Sequence, residues 1–314
     1  MWMIALQRFL ILCLTLVIIS LLAFLVPYMS GGDPVRTIVQ SRVGDMAVDP
    51  ASVEAMRVQL GLDQPLSVQY LGWLWNALHG DFGYSFVSRS PVGPEVARAL
   101  VVSFTLAMSA LGIALAVALP LGTLSAMRPG KAVDTVATFV TQTFVAVPEY
   151  WFAPMAVLVF SLYLGLLPSA GWEGPASLVL PAVVLSLRPL AYFTRVSRAA
   201  MMDVLQAPYI TAARSRGLNM NQTVVHHGIR NGAMPVVTLF ALWLAGLLGG
   251  SVVVEVIFAI PGMGRLIYEA VVNKDVPTLQ GSFVCIVALS VLINTLADAL
   301  YILLNPAVRI RHVH

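Results

Sequence analysis

Two ionisable side chains sit deep inside long apolar stretches of this 314-residue sequence: Glu149, directly after Pro148, and Arg188, directly before Pro189. A charge at the centre of a helix in hydrocarbon costs at least ~2.5 kcal/mol, so it needs a compensating contact or a task. Each accompanies a proline, which removes a backbone donor and kinks a helix, leaving polar backbone beside the charge. An acid and a base of this kind can receive the amine and carboxylate ends of a zwitterion in a translocation pathway. They can equally pair with one another, or Arg188 can extend its head toward the membrane surface. The other titratable groups offer less. His226 and His227 are adjacent, and neighbouring helix positions point about 100° apart, which suits two surface imidazoles better than one chelated ion. Cys13 and Cys285 lie in apolar runs and read as small hydrophobes, without metal or disulfide spacing. Glu255 and Asp298 fall nearer the ends of apolar runs, where capping or subunit contacts suit them.

No pattern supplies enzymatic chemistry. Gly130-Lys131 is followed by Ala132 and lacks the upstream glycine of a phosphate cradle. Neither H-E-x-x-H nor G-x-S-x-G occurs. No metal site is expected, and any nucleotide energy has to come from another chain.

The elements that must carry these residues follow from composition. The chain is 59% apolar and 11% charged, where a soluble protein has roughly 45–50% and 25%. A soluble fold of this length hides only about three-quarters of its surface, so lipid has to cover the surplus. An ordinary cytosolic enzyme is excluded. Spanning a hydrocarbon core of about 30 Å takes roughly 20 apolar residues as helix, and six runs qualify: 9–29, 101–127, 136–167, 178–200, 234–258 and 282–304. Helices are required because each unsatisfied backbone group in lipid costs several kcal/mol. The expected fold is an all-α integral membrane protein with six transmembrane helices. The first run is too long for a signal-peptide core and lacks a good cleavage site, so it is expected to stay in the membrane.

Lysine and arginine set orientation. Arg8, Arg128, Lys131, Arg195, Arg198, Arg214, Arg216, Arg230, Arg309 and Arg311 share one side when both termini are cytoplasmic, which is the expected topology. The net charge of +3 and pI near 9.0 then reflect topology, and no basic stretch interleaved with aromatics supports nucleic-acid binding. Segment 30–100 is polar and turn-rich, with a helix-compatible stretch at 49–60, and is expected to form a small extracytoplasmic cap between the first two helices. The remaining divisions are 1–29 as tail and first helix, 101–308 as membrane core, and 309–314 as cytoplasmic tail. Within the core, loop 201–235 faces the cytoplasm, and its portion 209–217 suits a short surface helix opened by Pro208 and stopped by Gly217.

That loop reads Tyr209-Ile-Thr-Ala-Ala-Arg-Ser-Arg-Gly-Leu218, then His226-His227-Gly-Ile-Arg-Asn231 and Pro235. It resembles the EAA loop of ABC-importer permeases, with Thr211 where the naming glutamate stands, as suits the peptide/nickel subfamily. The likeness continues through Gly32-Asp-Pro34, Leu60-Gly-Leu-Asp-Gln-Pro-Leu66 with Gln69-Tyr70, Gly80-Asp-Phe-Gly83 with Ser85, Gly249-Gly-Ser251, Glu255, Phe258, Pro261-Gly-Met-Gly-Arg265 and Asn305-Pro306. These clusters fall in order on the expected sides of six spans.

The resemblance implies the permease subunit of a type I ABC importer of the dipeptide, oligopeptide or nickel class, in a bacterial inner membrane. Its cargo would be a di- or oligopeptide, nickel, glutathione or a metal–opine complex. It implies a second homologous permease, two ATPase subunits that hold ATP and Mg, and an extracytoplasmic substrate-binding protein, with no cofactor in this chain. Tyr209, Thr211, Ala212, Ala213, Arg214, Arg216, Gly217 and Leu218 would couple to the ATPase. In this reading, small Ala212 and Ala213 allow close approach, and Arg214 and Arg216 meet acids. Charge alone leaves open a loop held near anionic headgroups. The rival function is a self-sufficient secondary transporter or channel using Glu149, which predicts two related halves that the sequence does not show.

Overall fold

The computed structural model describes residues 2–29, 54, 57–58 and 63–304. Gly32-Asp-Pro34, Asn305-Pro306 and nearly all of the helix-compatible stretch 49–60 lie outside them. Apart from one isolated bridge between Tyr84 and Pro91, the regular structure among the described residues is helical. In chain order the helices are α1 (Trp2–Met29), α2 (Leu66–Leu78), α3 (Val92–Met127), α4 (Ala132–Ala146), α5 (Glu149–Ala156), α6 (Pro175–Leu205), α7 (Pro208–Ser215), α8 (Met234–Gly250), α9 (Val252–Ile257), α10 (Met263–Val272) and α11 (Val276–Leu304). Short helical turns fill 220–232.

Helices α3, α6 and α11 are each long and apolar enough to cross a membrane, and α1 and α8 carry shorter apolar stretches. Two expected spans are not single helices. The run 136–167 breaks between α4 and α5 with a bend of 100°. Pro148 causes it: the residue before a proline is driven out of the helical region, and Val147 is extended at φ −82°, ψ 122°. Glu149 therefore opens a new helix and does not sit in the middle of one. The run 234–258 breaks at Ser251, where ψ reaches 7°.

The described chain divides into two compact units. The first joins Met1–Val102 to Pro261–Val291. In it α2 lies along α1, with the Phe24 ring 5.5 Å from both Tyr28 and Tyr70 and 6.0 Å from Trp73. Ser20 and Tyr70 share a hydroxyl hydrogen bond of 2.8 Å, and Tyr28 donates to Gln69. Val92, Val96, Ala99, Met263 and Ile286 form the apolar core. The turn after α2 uses Gly80 and Gly83 at φ +78° and +79°, a region that favours glycine. Asp275, 4% exposed, anchors the next loop by accepting from the Ser85 hydroxyl at 2.5 Å, the Phe86 N–H at 3.0 Å and the Thr278 hydroxyl at 2.9 Å. Asp275→Ala strips this acceptor from buried donors, at about 1–3 kcal/mol each. The expected outcome is faster proteolytic cleavage at 84–91 in the purified protein, and an unchanged cleavage rate would contradict the anchoring.

The second unit joins Ser103–Ile260 to Leu292–His314. Helix α6 is its hub, with α4, α5, α8 and α9 packed on it. It also crosses α3 closely. A Cβ on Gly122 would fall 2.8 Å from the Thr194 carbonyl oxygen and from Ser197 Cβ, so only glycine fits without displacing backbone.

Candidate functional site

Helix α7 begins at Pro208 because a first-turn position needs no N–H. It ends where the N–H groups of Arg216 and Gly217 bond back to the carbonyls of Ala213 and Arg214, with Gly217 at φ +95°. Ile210 and Ala213, three residues apart on one face, are 2% and 0% exposed. Tyr209, Thr211, Ala212, Arg214, Arg216 and Gly217 are exposed, and Leu218 is half-buried. Of the two alanines expected to allow close approach, the structure turns one inward. Ala213 belongs to the inward face with Ile210, and Ala212 alone faces out.

Behind α7 the chain is tightly stapled. Asn219 and Gln222 form a reciprocal capping box, so the next turn starts at a defined place. Val224 then packs with Ala126 of α3 and Met201 of α6 in a buried cluster. Gly228 and Gly232 lie so close to Met201 that a Cβ on either would stand 3.2 Å from its side chain. On the adjoining turn of α6, Arg198 grips Asp134 in a two-pronged bridge, with Nε to Oδ1 at 2.6 Å and the terminal nitrogen to Oδ2 at 2.8 Å. The Gly130 N–H also donates to Oδ2 at 2.9 Å. The last turns of α6 are therefore held by the segment after α7 and by the first turn of α4.

Ten residues up α6 from that bridge, Arg188 shares a cavity of about 230 Å³ with Glu149. Thr143, Phe144, Val147, Trp151 and Phe152 line it too. The Pro148 break puts Glu149 at the start of α5, half-buried, while Arg188 is exposed. No direct bridge of 4 Å or less joins the two. The structure brings the acid and base to one cavity and leaves a gap between them.

The sequence matches the profile of the binding-protein-dependent transport system inner membrane component over residues 118–310, and that of its N-terminal region over 1–109. The chain belongs to this permease family. A putative peptide transport system permease protein of Brucella abortus is 39% identical over 302 residues, covering 94% of this chain and 95% of that one. The glutathione transport system permease protein GsiC of Escherichia coli is 36% identical, with 96% and 97% covered. The dipeptide transport system permease protein DppB of Escherichia coli is 32% identical, with 95% of each chain covered. In fold, the permease is similar to a chain of the MetNI methionine ABC transporter in inward-facing conformations, at TM-score 0.56 and 18% identity, covering 67% of this chain and 96% of that one. It is accordingly an ABC-importer permease of the dipeptide/oligopeptide family, a bacterial inner-membrane protein built of apolar helices.

Several charged residues of the permease carry more structure than their sequence context suggests. Asp134 and Arg198 are 64 positions apart, and only Arg198 stood out in the sequence, as a topology cation. The signal available was an acid in a first helical turn just after a glycine stop. Glu255 was placed near a span end. It is 0% exposed and accepts 2.6 Å hydrogen bonds from the Ser103 and Ser251 hydroxyls on Oε1. Asp275 looked like an outer-loop charge, and its position one residue before α11 with Thr278 following was the available hint. His226 is exposed and bonds through Nδ1 to the Gln222 carbonyl at 2.9 Å. Cys13 and Cys285 are unpaired thiols of intermediate exposure.

Proposed function

We propose that this permease passes di- or oligopeptides, or a peptide-like solute such as glutathione, across the inner membrane as half of a two-permease pore. ATPase subunits dock on α7, and a substrate-binding protein delivers the cargo from outside the cell membrane. The observation that carries this reading is α7 itself. It is a short helix anchored by two inward side chains, ended by a positive-φ glycine, and offering Tyr209, Thr211, Ala212, Arg214 and Arg216. Arginines on such a surface suit the acidic rim of a partner groove. Peptide cargo is supported by the relatives, which are peptide, dipeptide and glutathione permeases by name.

In this reading, closure of the ATPases on ATP moves α7. The cluster around Met201 and the Asp134–Arg198 bridge carry the movement into α6, a helix too well gripped to lag behind. Arg188 rides on α6, so its distance from Glu149 changes between inward- and outward-facing states, and the two charges meet the ends of a zwitterionic cargo. On the other unit, a groove of about 780 Å³ lined by Glu95, Arg98, Pro261, Gly262, Arg265 and Glu269 supports docking of the binding protein through its mixed charge. Both termini then face the cytoplasm.

The test is co-expression of the tagged permease with its ATPase subunits. Wild type is expected to bring down the ATPases, and Arg214→Glu to lose them and cut uptake at least about tenfold, the scale of a reversed charge pair, with membrane amounts unchanged. Full uptake in Arg214→Glu would remove α7 from the coupling path. Calorimetry of the cognate binding protein with peptides identifies the cargo.

A further inference from the structure

Between 188 and 199 the exposed positions of α6 fall in one stripe, which the exposed Asp203 continues one turn further on. Arg188, Tyr192, Arg195 and Ala199 are exposed, while Pro189, Leu190, Ala191, Phe193, Thr194 and Ser197 between them are buried. The spacing of four, three and four residues places the exposed set on a single helical face. Arg195 stacks over the Tyr192 ring at 4.6 Å, and that ring lies 5.4 Å from Trp243. Neither guanidinium has a carboxylate within 4 Å among the described residues, in contrast to Arg198 one turn away, which has one at 2.6 Å. Two guanidiniums with no carboxylate within 4 Å among the described residues, separated by an aromatic pair, form a surface complementary to an anion bearing apolar groups.

We infer that this stripe is a carboxylate track. Arg188 takes the C-terminal carboxylate of a peptide at the Glu149 cavity, and Arg195, two turns or about 10 Å nearer α7, takes it next. Tyr192 and Trp243 face the peptide's apolar side chains during the transfer. Arg195 is then a substrate-binding residue that selects for a free carboxylate. The inference rests on the proposed pathway role of Arg188, and it adds a second station and a direction.

The importer complex tests it in membranes, in a Cys13→Ser/Cys285→Ser background. Single cysteines are placed at 188, 192, 195 and 199, with Phe193→Cys as the buried control, and labelled with an anionic and a cationic methanethiosulfonate. The four stripe positions are expected to label and the control not. At 192 and 199, where both arginines remain, the anionic reagent should react at least about tenfold faster than the cationic one, as a focusing cationic cleft requires. Arg195→Gln should abolish that preference at 199. It should also cut alanyl-alanine uptake about tenfold, the weight of one charge-assisted hydrogen bond, with Arg195→Lys restoring most of it. Labelling at 188 but not at 195 and 199 overturns the track and leaves the pathway role of Arg188 standing. No labelling at 188 overturns both. Equal rates for the two reagents, labelling only by a membrane-permeant maleimide, or full uptake in Arg195→Gln each overturn the track.

Discussion

Replacing Asp134 by alanine is expected to lower the unfolding free energy of the permease by about 2–3 kcal/mol, below the 3–5 kcal/mol of a fully buried pair. The reduction has a structural reason: the Asp134 side chain is 8% exposed, but that of Arg198 is 33% exposed and regains water when its partner is lost. The Gly130 N–H loses its acceptor as well, which loosens the α3–α4 turn that Gly130 forms at φ +73°. Asp134→Asn keeps one acceptor oxygen for Gly130 and is expected to lose less. Thermal unfolding of the detergent-purified complex measures both variants. If the bridge also transmits movement, Asp134→Ala should lower cargo uptake per ATP hydrolysed, a ratio that destabilisation alone leaves unchanged. A wild-type ratio in the folded variant would confine the bridge to holding α6 and α4 together.

Glu255→Ala is expected to cost more, at least about 4 kcal/mol. Two terms add. The Ser103 and Ser251 hydroxyls lose the oxygen to which both donate at 2.6 Å, and buried donors stripped of an acceptor cost about 1–3 kcal/mol each. Removing most of a fully buried side chain also leaves a void, and large-to-small core changes cost about 2–5 kcal/mol. Gln at this position preserves volume and an acceptor oxygen, so Glu255→Gln is expected to retain most of the stability. The contrast between the two variants is the diagnostic result. Equal losses would mean that charge at Glu255 matters and its two short hydrogen bonds do not. The position of the pair adds a reason for its retention. Ser251 stands at the α8–α9 break, and its hydroxyl ties that break to the buried Glu255 carboxylate.

How far the molecule could be read from its residues depended on the range of the interaction involved. Helix α7 was legible almost to the residue, because Pro208 and Gly217 act locally: one fixes φ at a helix start and the other admits a positive φ at its end. The inward turn of Ala213 was not legible, since it depends on which face Ile210 commits to the interior. The Pro148 break was present in the sequence as a proline, but the 100° bend needed the packing of α4, α5 and α6 to select it. Glu149 and Arg188 could be named as costly, yet their meeting in one cavity across 39 positions follows from the way α5 folds back onto α6. Asp134 with Arg198 and Ser103 with Glu255 were invisible for the same reason, as partners 64 and 152 residues apart have no local signature.

Composition and local pattern, acting alone, determined that this chain lives in lipid as helices and that a short helix opens at Pro208 and stops before Gly217. These are consequences of transfer free energy and backbone sterics, which each segment satisfies by itself. The tertiary structure decided which charges are paired and which are left open. Buried Asp134, Glu255 and Asp275 found donors, whereas Arg188 and Arg195 were left on the exposed face of a packed helix. Packing on the other sides of α6 leaves that face as the place where Arg188 and Arg195 meet no carboxylate within 4 Å among the described residues.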